Sequence, residues 1–139
     1  DDSTVEIIPG LGAVTASMAA LKRASTGAGA RLVVQTSGAS FFGKEDPEDL
    51  ARDLSRYNGT LVLYMGLKEI DRLVTTLKKY HPGDLPAAIV YYAGYPEKEK
   101  VVQGTLDTIL SKVTPEQEKW WGMIIVGRCL ETAAYGMSD

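Results

Sequence analysis

Apolar residues along the chain form short consecutive runs that alternate with stretches of periodic apolar spacing. The consecutive runs predict buried strands at residues 60–65, 87–92 and 123–126, and further strands at 5–8 and 31–36. Between most of these runs, apolar residues recur every three or four positions, the spacing typical of a helix with one buried face. Strands that alternate with helices predict an α/β domain.

Residues that begin or end helices support these assignments. The first helix is predicted from apolar residues at helical spacing, namely Leu11, Val14, Met18 and Leu21. Asp-Pro at 46–47 is a typical helix start, because Asp caps the helix and Pro suits its first turn, and Asn-Gly at 58–59 is a typical end. Pro-Gly at 82–83 ends the following helix, and Thr-Pro-Glu-Gln at 114–117 has the form of a capping box.

The segment after residue 87 indicates that the sheet is not purely parallel. Strand 87–92 leads into a turn at 95–98, and residues 99–103 are expected to return antiparallel to it. We therefore predict an α/β fold with a mixed, mostly parallel sheet flanked by helices.

Three segments are expected to lack regular structure. The run Ser-Thr-Gly-Ala-Gly-Ala at 25–30 predicts a flexible break, and with it a boundary between residues 1–24 and a main domain at 25–139. Residues 37–44, which include Phe41 and Phe42, are predicted to form a loop. The tail after Leu130 is predicted to be weakly ordered.

Composition narrows the class of protein. A chain of 139 residues with 45% apolar residues suits one globular domain with a real core. The net charge of −3 gives no broad footprint for nucleic acid, so no nucleic-acid partner is expected. Apolar runs of about six residues are too short to cross a bilayer. The opening Asp-Asp-Ser-Thr is unlike a signal peptide, so a cytoplasmic location is expected.

The chain has few residues suited to metal or nucleophilic chemistry. Cys129 is its single cysteine and His81 its single histidine, so neither an internal disulfide nor a structural metal site is expected. Cys129 is expected to be an inert packed thiol, and His81 to lie in a surface loop. Trp120 and Trp121 are interpreted as a packing anchor or subunit contact. No catalytic base is nominated.

Two strand ends are the candidate binding positions. Met65 ends the strand before Gly66, and Ala93-Gly94 ends the strand that follows it in the chain. Carboxyl ends of neighbouring strands in an α/β sheet are common ligand sites, and glycine lets a ligand approach the backbone closely. From the residues alone, a core methionine is the more ordinary interpretation of Met65, and Ala93-Gly94 is as readily a simple strand end or bulge.

Four segments in fixed order resemble a known family. They are Val-Glu-Ile-Ile-Pro-Gly-Leu-Gly-Ala (5–13), Leu-Tyr-Met-Gly (63–66), Tyr-Ala-Gly-Tyr-Pro-Glu-Lys-Glu-Lys-Val-Val-Gln-Gly-Thr-Leu (92–106) and Ile-Ile-Val-Gly-Arg (124–128). The last three resemble the C-terminal half of the tetrapyrrole (corrin/porphyrin) methylases, and the first resembles the segment that joins the two halves. Among subfamilies, the chain is most similar to the precorrin-4 C(11)-methyltransferases of cobalamin synthesis.

The resemblance implies a function and a set of site residues. These enzymes transfer a methyl group from S-adenosylmethionine to a ring carbon of a tetrapyrrole. By resemblance, the cofactor-binding residues are Tyr64, Met65, Ala93, Gly94 and Tyr95, and the substrate-binding residues are Pro9, Gly10 and Ala13. The implied partners are a tetrapyrrole substrate, the N-terminal half of the same protein and a second copy in a homodimer. The family's Gly-rich turn and Gly-Asp-Pro motif are absent, so an isolated C-terminal half is expected to be inactive.

Other functions remain open at the level of sequence. A methylase of the same fold that acts on ribosomal RNA ribose or on another substrate is one alternative, and a non-catalytic α/β interaction module is another. Because tetrapyrroles carry carboxylates, Lys22, Arg23 and Arg128 are also candidates, although solvated surface charge is the ordinary interpretation of each.

Overall fold

The computed structural model describes residues 2–114 and 119–132 of the chain. Among these residues, five strands form one sheet in the order β1-β2-β5-β3-β4. The strands are β1 (Val33–Ser37), β2 (Thr60–Tyr64), β3 (Pro86–Tyr91), β4 (Lys100–Thr105) and β5 (Gly122–Val126). Each lies within two residues of a run predicted from the sequence.

Helices connect the strands, which confirms the α/β class. They are α1 (Ala13–Leu21), α2 (Gly38–Phe41), α3 (Asp49–Tyr57) and α4 (Ile70–Leu77), with 3-10 turns at Leu67–Glu69, Ile109–Lys112 and Arg128–Glu131. The Asp46 carboxylate accepts the N–H of Glu48 at 3.1 Å, so the predicted cap holds a turn just before α3. Asn58 ends α3 in the left-handed conformation, as its position before a glycine predicts.

Strand directions confirm a mixed sheet and correct the expectation that it is mostly parallel. β1 pairs with β2 in parallel, but β5 is antiparallel to both β2 and β3, and β4 is antiparallel to β3. The expectation is wrong because the last strand, β5, lies between β2 and β3 rather than at an edge. β1, β2 and β3 still point in the same direction, so their carboxyl ends lie at the same edge of the sheet.

The sheet has an apolar layer on each face, because successive side chains of a strand point to opposite sides. Leu61 and Leu63 of β2 join the larger core with α3 and α4. Val62 faces the opposite side and packs in a second cluster with Met18 and Leu21 of α1. These apolar contacts place α1 against the sheet, with its first residues near the edge where β2 and β3 end.

Four local predictions fail or extend outside the described residues. Residues 5–8 are not a strand, and Val5, Ile7 and Ile8 are exposed, because no strand among the described residues pairs with them. The predicted loop at 37–44 contains α2, which buries Phe41 in the larger core. The predicted capping box and the tail extend into 115–118 and 133–139, which the structure does not describe.

Candidate functional site

A cavity of about 450 Å³ lies at the edge of the sheet where β2 and β3 end. We call it the strand-end pocket. It is lined by all of the residues predicted for cofactor binding, namely Tyr64, Met65, Ala93, Gly94 and Tyr95. Leu11, just before α1, and Ala13 and Ala16 in its first turns line it as well. Small side chains on α1 leave room between the helix and the strand ends.

The two strand ends meet in this pocket although β2 and β3 are not neighbours. Neighbouring strands were expected, and this part of the prediction is wrong because β5 runs between them. Since β5 is antiparallel to both, its first residue, Gly122, lies at the same edge as the last residues of β2 and β3. Trp121 and Gly122 therefore line the pocket.

The backbone turns sharply where each strand reaches the pocket. Met65 has φ 50° and Tyr92 has φ 47°, values in the left-handed region that costs a residue with a side chain roughly 1–2 kcal/mol. Gly94 also has a positive φ, at 85°, where glycine is favoured. Met65 is 64% exposed, so its interpretation as a core methionine is wrong. Strained residues of this kind cluster at binding sites.

Hydrogen bonds hold the loop that follows β3. The N–H of Tyr92 donates to the carbonyl of Trp121 at 2.8 Å, which ties the loop to the segment before β5. The N–H of Gly94 donates to the Glu99 carboxylate at 2.7 Å, and the N–H of Tyr95 donates to the carbonyl of Tyr92 at 3.0 Å. The main chain beside the pocket is therefore positioned before any ligand arrives.

Close packing also fixes the loop that carries Met65. A Cβ atom added to Gly38 would lie 2.8 Å from the Cα of Gly66 and 2.9 Å from the carbonyl oxygen of Met65. Both of these are backbone atoms, which cannot rotate away. The start of α2 therefore packs directly against the chain that leaves β2.

Aromatic side chains form one side of the strand-end pocket. Tyr92 stacks on Trp121 with ring centroids 6.2 Å apart and planes 18° apart, and Tyr95 meets Tyr92 edge-on at 6.3 Å. Trp120 and Trp121 are 57% and 61% exposed, so their interpretation as a packing anchor is wrong within the described residues, whereas a subunit contact stays a prediction. The sequence offered no signal for this, because both tryptophans lie outside any predicted strand.

Several predicted residues lie outside the pocket lining. Ala13 lines the pocket, whereas Pro9 and Gly10 do not, and no atom beyond its neighbours comes within 4 Å of a Cβ placed on Gly10. Arg128 pairs with Asp84 and Glu131, and these hydrogen bonds raise the pKa of its guanidinium.

Arg23 and Lys22 are also away from the pocket. The Arg23 guanidinium donates to the carbonyl of Leu21 at 2.9 Å. Lys22 lies at the other end of α1 from the residues that line the pocket, where it caps the helix. The basic residues singled out from the sequence are therefore not those that surround the site.

His81 and Cys129 have structural roles. The ring Nε2 of His81 lies 2.9 Å from the carbonyl oxygen of Ala51, and burial lowers the pKa of its imidazole. Cys129 is fully buried, which confirms a packed cysteine, and burial raises the pKa of its thiol. Within residues 2–114 and 119–132, no three His, Cys, Asp or Glu side chains are grouped to hold a metal ion.

No helix in the described part of the chain combines the length and apolar character needed to span a bilayer.

Comparison with known proteins identifies the family. The profile of the family described as Tetrapyrrole (Corrin/Porphyrin) Methylases matches residues 1–110. The chain therefore belongs to the tetrapyrrole methylases, and the resemblance found in its motifs is confirmed.

Individual relatives agree with this assignment. The chain is 35% identical over 136 residues to the cobalt-precorrin-4 C(11)-methyltransferase of Methanocaldococcus jannaschii. The matched region covers 96% of this chain and 52% of that protein. It is also 35% identical, over 136 residues, to the precorrin-4 C(11)-methyltransferase of Rhodococcus erythropolis, covering 96% of this chain and 53% of that protein. The chain thus spans about half the length of these curated relatives.

Solved structures share the fold. A cobalt precorrin-4 methyltransferase of cobalamin biosynthesis superposes with a TM-score of 0.74 at 23% identity, over 90% of this chain and 52% of that one. A uroporphyrin-III C-methyl transferase from Thermus thermophilus, solved in complex with S-adenosyl homocysteine, gives a TM-score of 0.64 at 22% identity, over 91% and 53% of the two chains. At these identities the similarity is one of fold.

Proposed function

We propose that the chain is the C-terminal domain of an S-adenosylmethionine-dependent methyltransferase that methylates a ring carbon of a tetrapyrrole in corrin biosynthesis. The observation that carries the proposal is the strand-end pocket, in which the Met65 and Ala93-Gly94 segments converge although Met65 and Ala93 are 28 positions apart in the sequence. The family and the precorrin-4 C(11)-methyltransferase relatives support the substrate class.

The residues of the pocket suit a nucleoside cofactor. A cavity of about 450 Å³ lies within the range of small-molecule sites. The exposed thioether of Met65 offers a soft, polarisable contact for a purine or a sulfur atom. Gly94, with no side chain, lets the ligand reach the main chain after β3. In this proposal Tyr64, Met65, Ala93, Gly94 and Tyr95 hold the cofactor.

The chemistry that these residues support is positioning. When bound, S-adenosylmethionine supplies an activated methyl group. Of the described residues that line the pocket, the titratable ones are tyrosines: Tyr64, Tyr92 and Tyr95. The protein's contribution at this site is therefore to orient the two reactants and to exclude water with apolar walls.

A second domain is needed to complete the site in this proposal. The pocket is open, and Leu11, Met65, Tyr95, Trp120 and Trp121 around it are exposed. The relatives are about twice as long as this chain, and in this proposal the covering domain corresponds to their additional half. We expect the 139-residue chain by itself to fold but not to methylate a tetrapyrrole.

Calorimetry of S-adenosylhomocysteine binding to the intact protein tests the cofactor site. Gly94→Val should weaken binding by at least about tenfold, because it adds bulk at the pocket and strain at a positive φ. The matched control is Gly29→Val, since Gly29 has φ 72° but lies outside the pocket lining. Equal binding by the wild type and Gly94→Val would remove this pocket from the cofactor site.

Transfer of a labelled methyl group identifies the substrate class. Incubation of the intact protein with labelled S-adenosylmethionine should label precorrin intermediates and leave ribosomal RNA unlabelled. Label in the RNA fraction would favour the same-fold alternative that acts on ribose.

A further inference from the structure

Two lysines lie over aromatic side chains that line the strand-end pocket. The Nζ of Lys68 is 3.6 Å from the ring centroid of Trp120, and the Nζ of Lys98 is 5.4 Å from that of Tyr92. Both distances are within the range of cation–π attraction. Among the described residues, the ion pairs include Lys78 and Lys79 but neither Lys68 nor Lys98. Their charges are therefore not neutralised by a paired carboxylate there.

The aromatic residues under these lysines belong to one group that lines the strand-end pocket. Trp120 and Trp121 are consecutive, and Trp121 stacks on Tyr92. We call these three residues the aromatic rim. Lys68 lies at the Trp120 end of the rim and Lys98 at the Tyr92 end. The rim thus groups three aromatic side chains, with a lysine ammonium over the ring at each end.

The acidic residues next to Lys68 and Lys98 in the sequence do not form ion pairs with these two lysines among the described residues. Glu99 is next to Lys98 in the sequence, but its carboxylate accepts the N–H of Gly94 at 2.7 Å. Glu69 follows Lys68 and Glu97 precedes Lys98, and neither forms an ion pair with its neighbour among the described residues. A ligand that brings carboxylates to both ends of the rim would complement the two ammonium groups.

We infer that Lys68 and Lys98 determine substrate specificity by binding peripheral carboxylates of a tetrapyrrole whose macrocycle lies against the aromatic rim. This inference rests on the proposed function, which supplies a flat and acidic substrate. The rim provides a surface for the ring by stacking, and the lysines provide charge complementarity at its edges. Arg23 and Arg128 cannot take this role, because their side chains already bond elsewhere in the protein.

Porphyrin titrations of the intact protein test the inference through the fluorescence of its tryptophans. Uroporphyrin and coproporphyrin are suitable probes, because both have the same flat ring and uroporphyrin carries twice the carboxylates. Lys68→Gln and Lys98→Gln should each weaken uroporphyrin binding about two- to fivefold, the range typical of exposed ion pairs, and should weaken coproporphyrin binding less. Added salt should reduce the difference from the wild type.

Matched variants separate charge from local structure. Lys68→Arg and Lys98→Arg keep the positive charge and should retain uroporphyrin binding. Lys22→Gln makes the same charge change at an exposed lysine outside the pocket lining and should leave binding unchanged. S-adenosylhomocysteine affinity, measured by calorimetry, should be equal in all of these proteins.

Each contrary outcome is informative. Uroporphyrin binding that both glutamine variants leave unchanged, or no porphyrin binding by the wild type, overturns the inference. So does burial of the rim by self-association, detected as dimers in which the tryptophans no longer respond to porphyrin. If S-adenosylhomocysteine binds normally in any of these cases, the proposed function stands. If it fails to bind the wild type, the proposed function fails independently of the lysines.

Discussion

Met65 and Tyr92 occupy matching positions in the fold, each directly after the last residue of its strand and each with a left-handed backbone, at φ 50° and 47°. The strands that they follow point in the same direction on either side of β5. Both residues line the same cavity. The chain thus adopts an unfavourable backbone conformation twice at one edge of the sheet, which is expected where strand ends are shaped for a ligand rather than for stability.

Met65→Gly should separate stability from binding. Glycine relieves roughly 1–2 kcal/mol of left-handed strain but costs about 0.4–1 kcal/mol in unfolded-chain entropy, so the free energy of unfolding should rise by no more than about 1.6 kcal/mol. S-adenosylhomocysteine affinity should fall about five- to thirtyfold, because the apolar contact of the methionine is lost. Denaturant unfolding and calorimetry measure the two effects.

The control for this substitution is Lys22→Gly, at an exposed residue with φ 54° outside the pocket lining. It should change stability by a similar amount and leave affinity unaltered. Unchanged affinity in Met65→Gly would show that the methionine does not contact the cofactor.

Gly38→Ala should impair cofactor binding from outside the pocket. The new methyl group would collide with backbone atoms of Met65 and Gly66, so the loop after β2 must shift. We expect the free energy of unfolding to fall by about 1–3 kcal/mol, together with a loss of S-adenosylhomocysteine affinity. Gly10→Ala, where the methyl group meets nothing within 4 Å, should change stability by less than about 0.5 kcal/mol. A tolerated Gly38→Ala would mean that this packing is looser than described.

Ser17→Ala should stabilise the protein. Ser17 is fully buried in α1, and its hydroxyl has no hydrogen-bond partner among the described residues. Removing an unsatisfied buried hydroxyl and introducing the best helix former should raise the free energy of unfolding by about 1 kcal/mol. Ser55→Ala, at an exposed serine that bonds the carbonyl of Arg52, serves as the comparison and should be near neutral. A loss of stability in Ser17→Ala would indicate that the hydroxyl bonds a group outside the described residues.

His81 should make stability depend on pH. Burial lowers the pKa of its imidazole in the folded protein below the ordinary value of 6.5, so the unfolded chain takes up a proton first as the pH falls. The stabilisation that His81 provides is therefore complete above about pH 6.5 and is lost as the pH falls through the lower, folded pKa. His81→Gln should flatten this part of the stability profile, measured by denaturant unfolding at several pH values. A difference between the two proteins that does not vary with pH would rule out this linkage.

The strands were predictable because their signal is local. The apolar runs around Val62, Ile89 and Ile125 each fill both faces of a buried strand. Turn-forming residues next to these runs mark where the strands begin or end. The order of strands in the sheet was not predictable in the same way, since no local feature of residues 122–126 indicates that they pair with β2 and β3. The run at 5–8 failed for a related reason, because an apolar run becomes a strand only where a partner strand is present.

Part of the candidate site was predictable and part was not. Met65 and Gly94 could be singled out because they follow strands and belong to motifs of the family. Lys68 and Lys98 could not, because an isolated lysine in a sequence is indistinguishable from solvated surface charge. Their significance comes from Trp120 and Tyr92 beneath them, which only the folded chain brings to the same pocket.

The central claim is that a nucleoside cofactor lies across the carboxyl ends of β2 and β3, and the methyl resonances of the methionines test it most directly. With methyl-labelled methionine in the intact protein, titration with S-adenosylhomocysteine should shift the Met65 resonance most and leave that of Met18, buried on α1, nearly unchanged. Saturating binding that leaves the Met65 resonance in place would contradict the account.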